Sequence, residues 1–277
     1  MPRFSGKAVI ITGSSNGIGR SAALMFAQEG AQVTVTGRNA ERLEVTLQYL
    51  LKAGVPAGNV NAVVADLTEA DGQDQIISTT LQKFGKIDIL VNNAGANLTD
   101  GTEGTDQSMD LYHRTLKVNL QTVIEMTRKT KEHLIKTKGE IVNVSSIVAG
   151  PQAQPGFPYY AIAKAALDQY TRSTAIDLIK YGVRVNSVSP GIVSTGFLEA
   201  MGMPNQAEKK LQDFFVSRKE CLPVGHCGTP EEIANIIVFL ADRSLSSYII
   251  GQSIVADGGS TLVSGLGAHD LVSILSQ

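Results

Sequence analysis

An α/β fold, one doubly wound parallel sheet of seven strands with helices on both faces, is the architecture this chain predicts. Three observations carry the prediction. Short runs rich in Val and Ile alternate with longer amphipathic stretches along the chain. These runs are apolar at nearly every position rather than at every second one, the pattern of strands buried on both faces. The first run also leads straight into a glycine-rich turn followed by a helix. With 277 residues, 43% hydrophobic and 18% charged, the chain has material for a substantial core, and no linker-like stretch divides it, so residues 1–277 read as a single domain.

The strands are expected near 7–12, 32–37, 60–66, 87–92, 139–145, 184–189 and 253–257. Lys7 to Ile11 feeds Thr12-Gly13-Ser14-Ser15-Asn16-Gly17-Ile18-Gly19, and Arg20 to Glu29 then reads as a helix closed by Gly30. After the second strand, Asn39 is placed to cap a helix that should end at Gly54, before Val55-Pro56. Thr229-Pro230-Glu231-Glu232 combines an N-cap, a proline at the first helical position and a capping-box glutamate. In such sheets ligands bind beyond the carboxyl ends of the strands. Gly13, Arg38, Asp66, Asn93, Ser146 and Pro190 follow the first six strands in turn, so they converge there.

The chemistry starts from Tyr160 and Lys164, four residues apart in an Ala-rich, helix-compatible segment and so on one helix face. An ammonium beside a phenol stabilises the phenolate, which predicts a Tyr160 pKa lowered from about 10 towards working pH. That would make a proton donor or acceptor for a carbonyl or an alcohol. The glycine turn lets a backbone approach a pyrophosphate, which sits on the unpaired N–H groups at the helix start. At the end of the second strand a ribose-binding acid would select NAD; Gly37 stands there instead, with the Arg38 guanidinium next to it. Arginine suits a phosphate, so NADP(H) is expected, with NAD as the alternative.

Other classes find little support. A net charge of -2 and a pI near 6.1 give no electrostatic footprint for nucleic acid or an anionic membrane, and Arg128-Lys129-x-Lys131 falls on the wet face of a helix. Cys221 and Cys227 flank His226 without a second ligand pair, so no metal is expected. The first strand begins too early for a leader, and no apolar run approaches the ~18 residues of a membrane span. The expected location is cytoplasmic.

Thr12-Gly13-x-x-x-Gly17-Ile18-Gly19, Asn92-Asn93-Ala94-Gly95, Ser146, Tyr160-x-x-x-Lys164 and Pro190-Gly191 occur in the order and approximate spacing of the short-chain dehydrogenase/reductase family. The chain resembles that family from residue 7 to about 260, including its tropinone-reductase-like and 3-oxoacyl-carrier-protein-reductase-like members. The resemblance implies a Rossmann-type fold and an NADP-dependent carbonyl reduction, or the reverse. It makes Tyr160 the acid/base, has Lys164 also bond the nicotinamide ribose, has Ser146 polarise the substrate oxygen, and gives Asn119 a supporting role at a helix irregularity. For the cofactor it implies Gly13, Ser15, Asn16, Gly17, Ile18 and Gly19 at the pyrophosphate turn, and Arg38 at the 2′-phosphate. Asp66 is then set at the adenine amino group, with Asn93, Ala94 and Gly95 beneath the adenine ribose. Pro190 and Gly191 lead to the carboxamide contacts, Val193 through its backbone and Thr195 through its hydroxyl.

The interval from Ser146 to Tyr160 is one residue longer than the family's usual one, which an insertion in the Gly150–Gly156 loop would absorb; Ser145 is the lesser candidate. Tyr159 reads as packing or lining. The segment from Gly196 to Pro223 has an apolar bias (Phe197, Leu198, Met201, Met203, Leu211, Phe214, Phe215, Leu222) with charges between, and is expected to line a mobile pocket for a ketone with a hydrophobic body. The resemblance further implies a homo-tetramer or homo-dimer, for which Ile233–Leu240 and Ile249–Val255 are candidate interfaces.

Overall fold

The computed structural model describes residues 2–195 and 205–263. Its seven strands are all parallel and lie in the order β3-β2-β1-β4-β5-β6-β7. They are β1 Ala8–Ile11, β2 Gln32–Gly37, β3 Val60–Val64, β4 Ile89–Asn92, β5 Glu140–Val144, β6 Arg184–Pro190 and β7 Ser253–Ala256. The helices are α1 Gly17–Gln28, α2 Ala40–Lys52, α3 Ala70–Phe84, α4 Met109–Leu116, α5 Thr122–Thr137, α6 Pro158–Ile179, α7 Asn205–Val216, α8 Pro230–Ala241 and α9 Arg243–Ser246. The chain winds outwards from β1 to β3, then crosses back to β4 on the other side of β1. That reversal opens a crevice at the carboxyl ends of β1 and β4.

The continuous apolar character of the strands has a direct cause. Along β1, Val9 and Ile11 join Phe26 of α1 and Ile237 of α8 in one buried cluster, while Ile10 between them joins Ile76, Met126 and Leu178 of α3, α5 and α6 on the other face. Each face is roofed by helices, so neither half of the alternation is polar. Burying such a side chain contributes about 1.5–3 kcal/mol. Much of Ile233–Leu240 is spent in the same way: Ile233, Ile237, Val238 and Leu240 are buried in the core against α1 and the sheet, while Ile236 and Phe239 are only partly buried.

The helix boundaries follow their signals. Asn39 Oδ1 accepts from the Arg42 N–H at 2.8 Å, and α2 ends just before Gly54, whose φ of 87° is open to glycine. Thr229 and Glu232 form both bonds of the capping box, 3.2 and 2.8 Å, with Pro230 at the start of α8. Between α4 and α5 the helix widens into a π turn over Lys117–Gln121, with Asn119 wholly buried in it.

Candidate active site

The glycine turn is packed as tightly as backbone allows. A Cβ on Gly13 would lie 2.8 Å from Ala94 Cα, and one on Gly19 would lie 2.6 Å from the Gly13 carbonyl and 2.5 Å from Asn93 Nδ2. Gly13 and Gly17 also hold positive φ, 63° and 49°. Asn93 Nδ2 donates to the carbonyls of Thr12 and Gly13, both at 2.9 Å. The Thr12 hydroxyl accepts the N–H groups of Asn93 and Ala94, each at 3.0 Å. Thus the end of β1 and the stretch after β4 are locked together across the crevice. Asn16 precedes α1 without giving its side chain to the helix, so no side chain takes up the N–H groups at Gly17, Ile18 and Gly19.

On the β5 side, the Ser146 side chain is close enough to the Tyr160 phenol to favour its ionised form, and Ser146 Oγ accepts the Val148 N–H at 3.4 Å. Ser145 faces the other way: it is 3% exposed, and its hydroxyl donates to the Lys164 carbonyl at 3.4 Å. The Ser146 side chain, not that of Ser145, therefore acts on the phenol. Tyr159 donates instead to the Gln107 carbonyl at 2.9 Å and packs edge-on against Tyr112, as a packing residue. Lys164 is 3% exposed, lies 5.7 Å from the Tyr160 ring centroid and donates through Nζ to the Val144 carbonyl at 2.8 Å. Its Nζ would be 3.2 Å from a Cβ on Gly95, so the missing side chain at 95 leaves the ammonium open towards the crevice.

The expected lowering of the Tyr160 pKa is not what this arrangement produces. Desolvation pushes the phenol up to about 12 against the opposing effect of Ser146, because the ammonium is turned to Val144 and sits over the ring rather than beside the hydroxyl. Lys164 itself is drawn down to about 8 by burial, with Asp168 opposing. Asn119 Oδ1 accepts the Ala96 N–H at 3.0 Å, while its Nδ2 donates to the carbonyls of Ala96 and Thr115 at 2.8 and 2.9 Å. The π turn thereby holds the stretch beside Gly95.

Arg38 is exposed at the end of β2, next to Gly37, whose added Cβ would lie 2.8 Å from Ser15 Cβ and Oγ. Asp66 accepts from the Thr68 N–H and hydroxyl, each at 2.8 Å. Despite some desolvation, those bonds and the charge of Arg38 hold its carboxyl below the usual range. After Pro190 the chain bends at Gly191, where a Cβ would meet Asp257 Cα at 2.8 Å. Val193 bridges Gly228 through bonds made by Ile192 and Ser194, and Thr195 closes on Gly17, 3.0 Å from a Cβ built there. Phe197, Leu198, Met201 and Met203 lie outside the described residues. Leu222 is buried, whereas Leu211 and Phe214 on α7 are 39% and 48% exposed. The Thr12 latch and the Asp168 carboxylate near Lys164 are features that sequence reasoning missed; only their places, after a strand and four residues beyond Lys164, hinted at them.

The family described as Enoyl-(Acyl carrier protein) reductase matches residues 13–261. The 3-oxoacyl-[acyl-carrier-protein] reductase FabG of Thermotoga maritima is 36% identical over 93% of this chain and 98% of its own length. Meso-2,3-butanediol dehydrogenase of Serratia marcescens is 35% identical over 95% of this chain and 98% of its own. Among solved structures, a short-chain dehydrogenase/reductase of unknown function from Caenorhabditis elegans, with cofactor, is 71% identical at a TM-score of 0.96, covering 97% of this chain and 100% of that one. A glucose dehydrogenase of the same organism in its apo-form is 57% identical at 0.82, covering 94% and 100%. With that likeness running over more than nine-tenths of its length, the chain belongs to the short-chain dehydrogenase/reductase family of oxidoreductases.

Proposed function

We propose that this enzyme is an NADP(H)-dependent oxidoreductase that reduces a carbonyl to a secondary alcohol, or runs the reverse, with Tyr160 as acid/base. The observation that carries the reading is the hydroxyl pair of Ser146 and Tyr160 above the buried Lys164 ammonium, at the carboxyl ends of β4 and β5. A protein that only binds a dinucleotide has no use for that acid.

The residues present fit a dinucleotide. Gly13 and Gly19 admit no side chain, and the start of α1 offers N–H groups that no side chain caps. The N–H groups of Gly17, Ile18 and Gly19 would hold the pyrophosphate. Ser15 and Arg38 would hold a 2′-phosphate, Asp66 the adenine amino group, and Ala94 and Gly95 the adenine ribose. Lys164 would reach the nicotinamide ribose, and Val193 and Thr195 the carboxamide. When bound, the cofactor supplies or accepts the hydride.

The protein's own part is proton transfer and charge. Ser146 orients the substrate oxygen and donates to it; Tyr160 gives its proton to the developing alkoxide. Lys164, held over the ring at 5.7 Å from its centroid, then offsets the phenolate's charge from that distance.

NADPH and NADH oxidation against a panel of ketones tests this reading, with Arg38→Ala beside the wild type. Arg38→Ala is expected to weaken NADPH about tenfold or more and NADH little, the size of one charged hydrogen bond. Equal losses would favour the NAD-dependent alternative, and cofactor binding without turnover on the whole panel would favour a sensor or scaffold. For the substrate, exposed Leu211 and Phe214 support a ketone with an apolar body. A second reading, a polyhydroxy substrate, is favoured by the 57% identity to a glucose dehydrogenase, so sugars belong in the panel. A cytoplasmic homo-tetramer or homo-dimer completes the proposal.

A further inference from the structure

Arg20, in the first turn of α1, is a half-buried guanidinium that makes no ion pair among the described residues. Its Nη2 donates to the Ser15 carbonyl, and its Nε donates to Thr46 Oγ1 at 2.9 Å. Thr46, fully buried on α2, donates in turn to the same Ser15 carbonyl at 3.0 Å. One carbonyl in the glycine turn is therefore fixed by donors from two helices. Burial lowers the Arg20 pKa, with Tyr49 opposing and nearby Arg42 adding to the effect. Charges withdrawn from water are as a rule paired. A guanidinium held here without an acid points to an anion that arrives with a ligand.

Ser15 is the residue through which Arg20 acts. Its side chain fills the space over Gly37, so that a Cβ at 37 would lie 2.8 Å from both Ser15 Cβ and Oγ. Ser14 staples the same two segments: its N–H donates to the Thr36 carbonyl at 2.9 Å, and its Oγ accepts the Thr36 N–H at 2.8 Å. With Ser15 so held, its hydroxyl stands at the end of β2 beside the position of Arg38. An acidic side chain at 37 would collide with it.

We propose that Arg20 is a positioning residue for cofactor choice. By anchoring the Ser15 carbonyl it presents the Ser15 hydroxyl to the 2′-phosphate of NADPH, and its unneutralised charge favours that phosphate over the 2′-hydroxyl of NADH. The inference rests on the NADP(H) reading above and adds a residue outside the set that touches the cofactor.

Calorimetric titration of the whole chain with NADPH, NADH and adenosine 2′,5′-bisphosphate, in the wild type, R20Q and T46V, tests it without any substrate. R20Q is expected to weaken NADPH and the bisphosphate about tenfold and NADH by less than about threefold. T46V keeps the charge and removes one anchor, so it should narrow the same ratio by less. Equal weakening of both dinucleotides by R20Q, or none, overturns the proposal, because a residue that merely folds the turn serves both alike. Should R20Q not fold, T46V decides, and an unchanged ratio overturns it. A wild type that binds NADH as tightly as NADPH defeats the NADP(H) reading itself, and the proposal with it. A wild-type preference for NADPH that survives R20Q leaves the reading standing and removes only Arg20.

Discussion

Tyr160 and Lys164 share one face of α6, and burial moves their pKa values in opposite directions, the phenol up to about 12 and the ammonium down to about 8. In the proposed reaction the phenol is thus protonated at neutral pH and able to donate, while the cation that would offset the resulting phenolate is present only below about 8. Reduction should therefore hold steady below that value and fall as pH rises through it, with alcohol oxidation moving the opposite way. A kcat profile for reduction that stays flat from pH 7 to about 9.5 would contradict this assignment of Lys164. The two serines divide by geometry in the same manner. Ser146→Ala should cost about 10²-fold or more in kcat, as removal of one donor to a developing oxyanion does. Ser145→Ala should leave kcat nearly unchanged and act on stability, since Ser145 bonds the Lys164 carbonyl. If Ser145→Ala proves the slower enzyme, the extra loop residue before Tyr160 is absorbed upstream of Ser146.

At the scale of elements, what was legible in the sequence is what local chemistry dictates. The strand runs, the cap at Asn39, the capping box at Thr229 and the glycine turn were all readable, because each is decided within a few residues. Contacts between distant segments were not. Thr12 latches a stretch about eighty residues away, and the Lys164 Nζ chooses the Val144 carbonyl over the phenol, a choice made by packing rather than by spacing. The pairing at the far end of the sheet was equally invisible. Glu140, at the start of β5, meets Arg184 at 2.9 Å and Arg243 at 2.7 Å, and Arg184 is only 2% exposed, its guanidinium also bonding the carbonyls of Leu240, Ser246 and Ile249. This cluster ties β5 and β6 to α8 and α9. Glu140→Gln should remove about 3 kcal/mol or more of stability by stranding Arg184, and thermal melting would read the loss. Cofactor affinity should not change, because the cluster lies opposite the crevice; a large fall in NADPH affinity with an unchanged melting temperature would contradict that separation.

The whole molecule divides its work between the two ends of one sheet. At the amino ends of β5 and β6 buried charge pairs hold the strands to α8 and α9, and at the carboxyl ends the glycine turn, the latched stretch after β4 and the Ser146–Tyr160–Lys164 cluster face a single crevice. Among the described residues no helix is long and apolar enough to cross a membrane. The switch in winding between β1 and β4 is what gathers these groups from five separate stretches of sequence, and the order of motifs along the chain foretold that convergence. In the proposed reaction its chemistry rests on one proton. NADPH-dependent reduction of the most reactive ketone in the panel, measured in the wild type, Tyr160→Phe and Tyr159→Phe alongside NADPH affinity, tests that claim most directly. Tyr160→Phe is expected to lose about 10²–10⁴-fold in kcat with NADPH affinity nearly intact, and Tyr159→Phe to lose little. Retention of more than about half the wild-type kcat by Tyr160→Phe, or a greater loss in Tyr159→Phe, would contradict the account.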